Sequence, residues 1–410
     1  MTAIRDPRLS GPLTDLRVIE MGQLLAGPFC GQLMADFGAE VIKVEQPGSG
    51  DPMRQWGREK PHGKSLWWPV IARNKKSVEI NAREPEGQEM IRELVRDADI
   101  LLENFRPGTM EKWGLGYEEL SKINPRLIMI RVSGYGQSGP YSRNAGYGAI
   151  GEAMGGLRYV VGDPSTPPSR MGISIGDTLA ATFACLGGMM ALHNMHRTGH
   201  GQVVDSAIYE AVLNVMESLI TEYDKADFIR ERTGAILPNV APSNVYPTKD
   251  EKFVLIAANQ DTVFSRLAGA MGREELASDE RYATHSARGK HQAELDDLIA
   301  EWTRTMTAAE LGPLLDEHGV PRGDIYRAPE MLEDAHFKAR EAIVKVAHPV
   351  FGDLAMQNVA PRLSATPGRV VSAGPELGEH NDDVFKGLLK LDDARIAELA
   401  ERGIVGRGGQ

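Results

Sequence analysis

The sequence predicts an α/β protein whose larger domain is a parallel sheet with helices on both faces. In the first third of the chain, short apolar runs alternate with longer helical stretches, which is typical of a parallel sheet. After a proline-containing connection at residues 237–247, one strand and three helices predict a smaller inserted α/β domain. Short strands and a terminal helix then indicate a return to the first domain. We therefore expect a large domain from residues 1–225 and 331–410, and a small domain from residues 226–330.

The chain opens with a βαβ unit. Residues 16–21 form a short apolar run that suits a buried strand. Pro28 suits the first turn of the following helix, because that position needs no backbone N–H. Gly38 ends this helix, and residues 41–44 form the second strand. Strands joined through a helix in this way pair in parallel by a right-handed crossover.

The same alternation continues along the chain. Further strands of the large domain are expected at residues 77–80, 100–103 and 127–132, with helices at 84–96, 117–123, 178–197 and 206–230. The small domain is expected to contain a strand at 253–258 and helices at 262–271, 292–304 and 308–318. The last part of the chain predicts strands at 342–346 and 354–358 and a helix at 392–402.

The composition restricts the partners of the protein. The 410 residues carry a net charge of -11, which argues against nucleic acid or an anionic membrane surface as a partner. The two cysteines, Cys30 and Cys185, make neither a disulfide framework nor a metal cluster, which fits a reducing cytosol. Residues 1–12 lack the apolar segment of a signal peptide, and the apolar run 179–192 is too short to span a bilayer. We expect a cytoplasmic protein without a membrane partner, and we expect residues 179–192 to form a buried helix.

A lone carboxylate at the start of the helix predicted over residues 178–197 is the main chemical signal. Asp177 follows the turn of small residues at 171–176. Unpaired backbone N–H groups and the positive end of the helix dipole favour its anionic form there. Asp is also among the best N-cap residues. The local sequence therefore leaves two roles open for Asp177, a cap and a nucleophile.

Polar and aromatic residues follow two predicted strands at their carboxyl ends. Asn104, Phe105 and Arg106 come directly after the strand at 100–103, and Tyr135 follows the strand at 127–132. Asn offers donors and acceptors, Phe can stack on a flat ring, and Arg can pair with a phosphate. Because ligands of doubly wound sheets bind outside the carboxyl ends of the strands, we expect one binding crevice here.

Other chemistries are less well supported. The basic cluster at residues 73–77 is either a phosphate clamp or a solvated loop. Glu45 could bind a ribose, but the turn at residues 22–28 lacks the spaced glycines of a dinucleotide-binding motif. Three histidines, His193, His196 and His200, flank a helix end without a matching carboxylate pattern, so we expect no metal site.

Taken in order, these segments resemble the family III coenzyme A transferases, the group that includes formyl-CoA transferase. The resemblance extends over nearly the whole chain. The matching segments are residues 25–28, 38–45, 74–77, 103–108, 123–128, 176–177, 199–202 with Asp205, and 377–381.

The resemblance implies a fold and a chemistry. It implies a Rossmann-like large domain built from both termini, an inserted small domain and an interlocked homodimer. Asp177 would attack an acyl-CoA thioester to give a mixed anhydride, and CoA would then pass to a carboxylic acid through an aspartyl-CoA thioester. Such covalent catalysis divides one difficult exchange into easier steps. CoA is then a substrate, and no permanently bound cofactor is expected.

The resemblance also assigns binding residues. It places Leu24, Leu25 and Ala26 along the adenine or pantetheine path, and Asn74 and Lys75 near the CoA phosphates. The remaining contacts implied or expected are Asn104, Phe105 and Arg106 at the nucleotide and Tyr135 beside the thioester. The formyl-CoA enzyme has Gln where Leu25 stands and Arg where Gln46 stands. Its glycine-rich loop has no counterpart in residues 239–252.

The carboxylate acceptor is expected to be a dicarboxylic acid. Residues 241–244 and 256–259 resemble the dicarboxylate branch of the family, with succinyl-CoA as donor. Arg170 could hold a distal carboxylate by a bidentate pair, or it could be a surface or dimer-contact residue. Tyr147 is a second candidate substrate contact.

Two alternatives remain within the same fold. The first is α-methylacyl-CoA racemase, which pairs the equivalent Asp with a His as second base. Residues 144–148 have Tyr147 at that place, which favours the transferase. The second alternative is a CoA-binding homologue without catalytic activity, which the presence of Asp177 disfavours.

Overall fold

The larger structural unit is built on a six-stranded sheet in which every neighbouring pair is parallel. The computed structural model describes residues 5–408. The six strands are β1 (Arg17–Glu20), β2 (Glu40–Glu45), β3 (Lys76–Glu79), β4 (Ile100–Glu103), β5 (Ile128–Ser133) and β6 (Val203–Ala207). Their order is β3-β2-β1-β4-β5-β6. The order reverses between β1 and β4, which is where doubly wound sheets open a ligand crevice. The predicted α/β class and parallel sheet are confirmed.

Helices follow the strands along the chain. They are α1 (Ala26–Asp36), α2 (Trp68–Ile71), α3 (Pro85–Val95), α4 (Thr109–Lys112), α5 (Tyr117–Ile123), α6 (Gly148–Met154), α7 (Leu157–Val160), α8 (Ile175–Thr198), α9 (Ile208–Asn214) and α10 (Leu219–Ala226). Pro28 lies in the first turn of α1, as predicted.

The prediction of one long helix over residues 206–230 is wrong. Val203 and Val204 belong to edge strand β6, which pairs with β5 and ends at Ala207. Helices α9 and α10 are then separated at Glu217, whose φ of 54° is incompatible with a continuous helix. The β-branched pair suits a strand, but its pairing partner lies more than seventy residues earlier and is not evident from local sequence.

Helix α8 confirms the helix predicted over residues 178–197 and extends it by three residues at its start and one at its end. Of the residues that the structure describes, Ile175–Thr198 is the one helix long and apolar enough to cross a membrane by length and composition. It packs against α1, β5, β6 and α9. Its glycine at the C-terminal end, Gly199, adopts a φ of 78°, as left-handed helix caps commonly do. The predicted burial is only partial, because Leu186 and Met190 are 48% and 62% exposed.

The second unit comprises Arg158–Arg170 and Leu219–Ala335. Besides α10, it contains β7 (Ser243–Pro247), β8 (Phe253–Ala257), α11 (Asp261–Ala270), α12 (His285–Lys290), α13 (Gln292–Thr303), α14 (Ala308–Glu317), β9 (Arg322–Asp324) and α15 (Ala328–Glu333). The three strands form an antiparallel sheet in the order β7-β8-β9. Its core includes Tyr246, Phe264 and Leu295, which are fully buried. Sequence analysis missed β7 because prolines flank it.

The chain then continues through α16 (Ala335–Ala339), the antiparallel hairpin of β10 (Ile343–His348) and β11 (Gly352–Gln357), and α17 (Asp393–Glu401). Residues from His336 onward belong to the larger unit. Phe385 and Leu399 pack into the same core as Ile91 of α3 and Leu101 of β4.

The segment at residues 377–381 covers the outer edge of β3. The backbone N–H of His380 donates to the Ser77 carbonyl at 3.0 Å, and the N–H of Ser77 donates to His380 Nδ1 at 3.3 Å. The backbone N–H of Glu79 donates to Asn381 Oδ1 at 2.9 Å. These bonds satisfy backbone groups that an open strand edge would leave exposed.

Candidate active site

Asp177 lies in the first turn of α8, but it is not the N-cap. The N-cap is Ser174, and Asp177 is the third helical residue. Asp177 therefore does not occupy the N-cap position that the sequence allowed for it. The Asp177 carboxylate is half-buried and lies against Gly148, the first residue of α6, where an added Cβ would stand only 2.6 Å from Asp177 Cγ. The carboxylate thus rests on bare backbone at the start of one helix while belonging to the first turn of another.

Two loops meet beside this carboxylate. A Cβ on Gly134 would stand 2.9 Å from Gly146 Cα, and one on Gly146 would stand 3.2 Å from the Tyr135 ring. The loop after β5, which carries Tyr135, therefore packs on the segment that leads into Gly148. Tyr147 is the N-cap of α6 and is 67% exposed. The structure thus links Tyr135, Tyr147 and Asp177 through one glycine-lined packing arrangement.

A cavity of about 240 Å³ opens at the carboxyl ends of β1 to β4. Phe105 and Trp113 form an edge-to-face pair with ring centroids 5.1 Å apart on its wall. Arg83, which follows β3, also lines it and is exposed. An aromatic wall with a guanidinium at the rim can take a flat heteroaromatic ring with an attached phosphate. This cavity lies where the strand order reverses, but of the four residues expected to line one crevice, Asn104, Phe105, Arg106 and Tyr135, only Phe105 lines it.

Asn104 braces the loop after β1. Its Oδ1 accepts from the Gln23 N–H at 2.7 Å, and its Nδ2 donates to the Gln23 carbonyl at 2.9 Å. Gly22 of this loop and Gly27 in the first turn of α1 approach Asn104 so closely that an added Cβ would stand 3.1 to 3.2 Å from its side chain. The amide that we expected at the nucleotide therefore makes two bonds to the backbone of the chain.

A buried network of opposite charges holds the same loop from beneath. Lys43 Nζ donates to Glu20 Oε1 at 3.0 Å and to the Gly22 carbonyl at 2.7 Å, and lies 2.8 Å from Asp51 Oδ2. Asp51 accepts the Leu24 N–H at 3.0 Å, which fixes the unusual positive φ of 63° at Leu24. Burial opposes the charge of Lys43, but the carboxylates of Asp51 and Glu20 outweigh it and raise the pKa of Lys43.

The sequence profile of CoA-transferase family III matches residues 13–381. This chain belongs to that family. The predicted family resemblance and the CoA-transferase class are confirmed.

Relatives of known activity or structure align with this chain over almost its whole length. A succinyl-CoA–D-citramalate CoA-transferase of Chloroflexus aurantiacus is 61% identical over 99% of this chain and 100% of its own length. A succinate–glutarate CoA-transferase of Agrobacterium fabrum is 34% identical over 94% of this chain and 98% of its own length. The crystal structure of a CAIB/BAIF family protein from Brucella suis has a TM-score of 0.83 at 34% identity, covering 92% of this chain and 100% of that one.

Asn74 and Lys75, the two residues predicted to lie near the CoA phosphates, are buried in the interior of this protein. Lys75 Nζ donates to Glu20 Oε2 at 2.8 Å and to the Pro28 carbonyl at 2.6 Å. Asn74 Nδ2 donates to Asp36 Oδ1 at 3.0 Å, and its Oδ1 accepts from the Val371 N–H at 2.8 Å. Both side chains are 1% exposed, and burial lowers the pKa of Lys75. Their role at the CoA phosphates stays a prediction that this placement does not support.

The other predicted contacts are distributed over the enzyme. Leu24 and Leu25 pack on a small core containing Met53 and Trp68, and Ala26 begins α1. Arg106 is exposed next to Phe105. Arg170 is also exposed and belongs to the second unit, whereas Asp177 belongs to the larger one.

Sequence analysis missed three polar residues near these loops. Glu152 is buried and accepts the Gly176 N–H with Oε1 at 3.3 Å. Gln137 has a buried side-chain nitrogen without a hydrogen-bond partner among residues 5–408. Arg83 could have been found, because it follows a predicted strand. In the described part of the chain, no group of three His, Cys, Asp or Glu side chains could hold a metal.

Proposed function

We propose that this enzyme transfers CoA from succinyl-CoA to a dicarboxylic acid, with Asp177 as the nucleophile. The observation that carries the proposal is the half-buried Asp177 carboxylate on the bare backbone of Gly148. The names of its relatives support the substrates, since they specify succinyl-CoA with D-citramalate, L-malate or glutarate as the second acid. The 61% identity to the citramalate enzyme favours a branched 2-hydroxy dicarboxylate as the acceptor.

We propose that the transfer proceeds in four acyl-transfer steps through covalent intermediates on Asp177. The Asp177 carboxylate attacks the thioester carbonyl of succinyl-CoA, and CoA leaves as a thiolate to give a succinyl-aspartyl anhydride. The thiolate attacks the aspartyl carbonyl, which releases succinate and leaves an aspartyl-CoA thioester. The acceptor carboxylate displaces the thiolate to form a second anhydride. The thiolate then attacks the acceptor carbonyl, which gives the new CoA thioester and regenerates the Asp177 carboxylate.

Backbone N–H groups near Asp177 would stabilise the oxyanions of these steps. The first N–H groups of an α-helix have no intrahelical acceptor, and α6 and α8 both begin beside the carboxylate. Preorganised donors of this kind are the main source of stabilisation in acyl transfer. Tyr135 lies next to the same backbone and would contact the thioester.

The nucleotide end of CoA would bind in the cavity at the carboxyl ends of β1 to β4. Phe105 and Trp113 would contact the adenine ring, and Arg83 and Arg106 would pair with phosphate groups. Leu24, Leu25 and Ala26, on the loop that Asn104 and Asp51 hold, would line the path of pantetheine. Arg170 and Tyr147 are proposed to bind the distal carboxylate of the dicarboxylic acid.

The catalytic species is proposed to be an interlocked homodimer with the large domain formed by both ends of the chain. The apolar outer face of α8 supports a second copy as its cover, since Leu186 and Met190 are exposed there. A cytoplasmic location is proposed on the composition alone.

A trapping experiment tests the nucleophile. The enzyme is incubated with succinyl-CoA, treated with hydroxylamine or borohydride and digested, and the peptides are mapped by mass spectrometry. We expect a modification on the peptide that contains Asp177, and D177A should lose it together with at least about 10⁴-fold of kcat. An unmodified Asp177 peptide, or full CoA transfer by D177A, would contradict the proposal.

A panel of acceptors tests the substrate class. Product masses are recorded with succinyl-CoA and D-citramalate, L-malate, glutarate, acetate or propionate. We expect transfer to the dicarboxylates and about tenfold or greater loss of that transfer in R170A, because a bidentate carboxylate contact is removed. Equal loss with monocarboxylates would show that Arg170 does not recognise the distal group.

A further inference from the structure

The first turn of α8 is held by a side chain from another helix. The first four N–H groups of a helix need acceptors from outside its own ladder, and the local N-cap, Ser174, supplies none through its side chain. Instead, the N–H of Gly176 donates to Glu152 Oε1 on α6 at 3.3 Å. Glu152 is 1% exposed. The acceptor for the residue directly before Asp177 therefore comes from the buried face of α6.

The same face of α6 also carries the surface on which Asp177 rests. Glu152 is four residues after Gly148, so the two residues lie on one side of the helix. Gly148 contacts the Asp177 carboxylate, and a Cβ on Gly176 would stand 2.9 Å from both Glu152 Cγ and the Gly148 carbonyl oxygen. Helices α6 and α8 are therefore in backbone contact at Gly176, with the acceptor on one side of that contact and the nucleophile on the other.

Helix α6 is itself fixed against α9. A Cβ on Gly151 would stand 2.8 Å from Ile208 Cβ, and one on Gly155 would stand 2.6 Å from Val212 Cγ1. Interiors packed this closely transmit displacements instead of absorbing them. Glu152 is thus anchored on a helix that cannot shift easily, and its bond to Gly176 relates α8 to that anchored position.

We propose that Glu152 is a positioning residue for the nucleophile. By accepting the Gly176 N–H, it sets the orientation of the first turn of α8 and hence the direction from which the Asp177 carboxylate approaches the thioester. The inference rests on the proposed role of Asp177. A displacement of about 1 Å at a reacting group costs on the order of a hundredfold in rate, so a lost acceptor should lower kcat. It should leave CoA binding unchanged, because the CoA cavity lies at other strand ends.

Two variants of matched shape separate this role from packing. E152Q retains an oxygen acceptor, whereas E152M fills the same space without one. We expect E152Q to keep kcat within about threefold of the wild type, and E152M to lose about thirty- to hundredfold, with KM for succinyl-CoA unchanged in both. As a stability control, E40Q changes another buried carboxylate at the opposite end of the sheet, paired with Arg17, and should lower the unfolding temperature without changing kcat.

Several outcomes would overturn the proposal. The first is an equal kcat in E152M and E152Q, whether both keep the wild-type value or both lose the same amount. The second is an increase in the KM for succinyl-CoA that matches the decrease in kcat. If E152M does not fold, E152D replaces it, since its carboxylate is one methylene too short; wild-type activity in E152D would also overturn the proposal.

The rate of adduct formation on the Asp177 peptide distinguishes a failure of the positioning role of Glu152 from a failure of Asp177 as the nucleophile. If the wild type forms the adduct and E152M forms it as fast as E152Q, only the positioning role fails. If the wild type forms no adduct on that peptide, the nucleophile itself fails.

Discussion

At the scale of single residues, the two glycines that lie beside Asp177 matter as much as its carboxylate. Gly148 and Gly176 bring two helices into backbone contact beside the proposed nucleophile. At each position an added Cβ would clash with a neighbouring atom. Neither glycine has a positive φ that would require glycine for conformational reasons. These two positions therefore require glycine because the backbones of the two helices approach each other closely there.

The variant G148A should displace the proposed nucleophile, Asp177. Its methyl group would stand 2.6 Å from Asp177 Cγ, so the carboxylate has to move, and we expect kcat to fall by about a hundredfold. The matched control is G172A, because nothing lies near an added Cβ at Gly172. Steady-state kinetics with succinyl-CoA measure both variants. Comparable kcat values in the two would mean that the contact between Gly148 and Asp177 has no catalytic importance.

At the scale of elements, the loop after β1 is the part that most depends on buried charge. Glu20, Lys43, Lys75 and Asp51 are each at most 2% exposed. The two lysines and Asp51 bind backbone groups of that loop or of the first turn of α1, and Glu20 pairs with both lysines. Buried charges are tolerated when they are paired and hydrogen-bonded. The network therefore stabilises one loop conformation, including the positive φ of Leu24, against which CoA is proposed to bind.

The variant D51N should weaken this network. Lys43 loses a carboxylate at 2.8 Å, and removing one partner of a buried pair costs about 3–5 kcal/mol of unfolding free energy. We also expect the KM for succinyl-CoA to increase by about tenfold, because the loop carrying Leu24 becomes less well fixed. Urea unfolding and steady-state kinetics measure the two effects. S49A, at an exposed site on the same segment, should change neither; an unaltered KM in D51N would separate the network from CoA binding.

At the scale of the whole molecule, the C-terminal segment is attached to the sheet through His380. Burial lowers the pKa of His380, and its Nδ1 accepts a backbone N–H. A lowered pKa in the folded state means that the unfolded state binds the proton more readily. The stability from this group is therefore complete above the usual histidine pKa of 6.5 and is lost as the pH falls through the lower value of the folded state.

The pH dependence of unfolding tests this attachment. Between pH 7.5 and about pH 5, the wild type should lose more thermal stability than H380N, whose amide oxygen can accept the same bond without titrating. Differential scanning calorimetry across this range measures the difference. H62N changes an exposed histidine and should follow the wild type. Parallel curves for the wild type and H380N would show that His380 does not contribute to acid destabilisation.

The exposed apolar face of α8 leads to a prediction about assembly. Leu186 and Met190 are 48% and 62% exposed, and burying such side chains in a second copy would be favourable by about 1.5–3 kcal/mol each. We expect M190K to shift the protein from dimer to monomer, as measured by analytical ultracentrifugation. E118K, on exposed α5, is the control. A wild-type monomer, or a dimer unaffected by M190K, would contradict the proposed role of this face.

The sequence by itself predicted the parallel sheet and indicated Asp177 as the candidate nucleophile. Strand 100–103 and helix 117–123 were predicted with their observed bounds, because a buried strand and an amphipathic helix are recognised from local apolar spacing. A crevice at this edge was also predicted, since the carboxyl ends of parallel strands share one edge, but its lining was not, because only Phe105 of the four expected residues lines the cavity.

Only the tertiary structure decided which groups surround that chemistry. Edge strand β6 required β5 as a partner, and the ion pair of Lys75 required Glu20, 55 residues earlier. The placement of Glu152 at the start of α8 depended on how two helices cross. Side-chain partners that are distant in sequence are set by packing in three dimensions, which local patterns do not encode. Local physics therefore located the carboxylate, and long-range packing decided its environment.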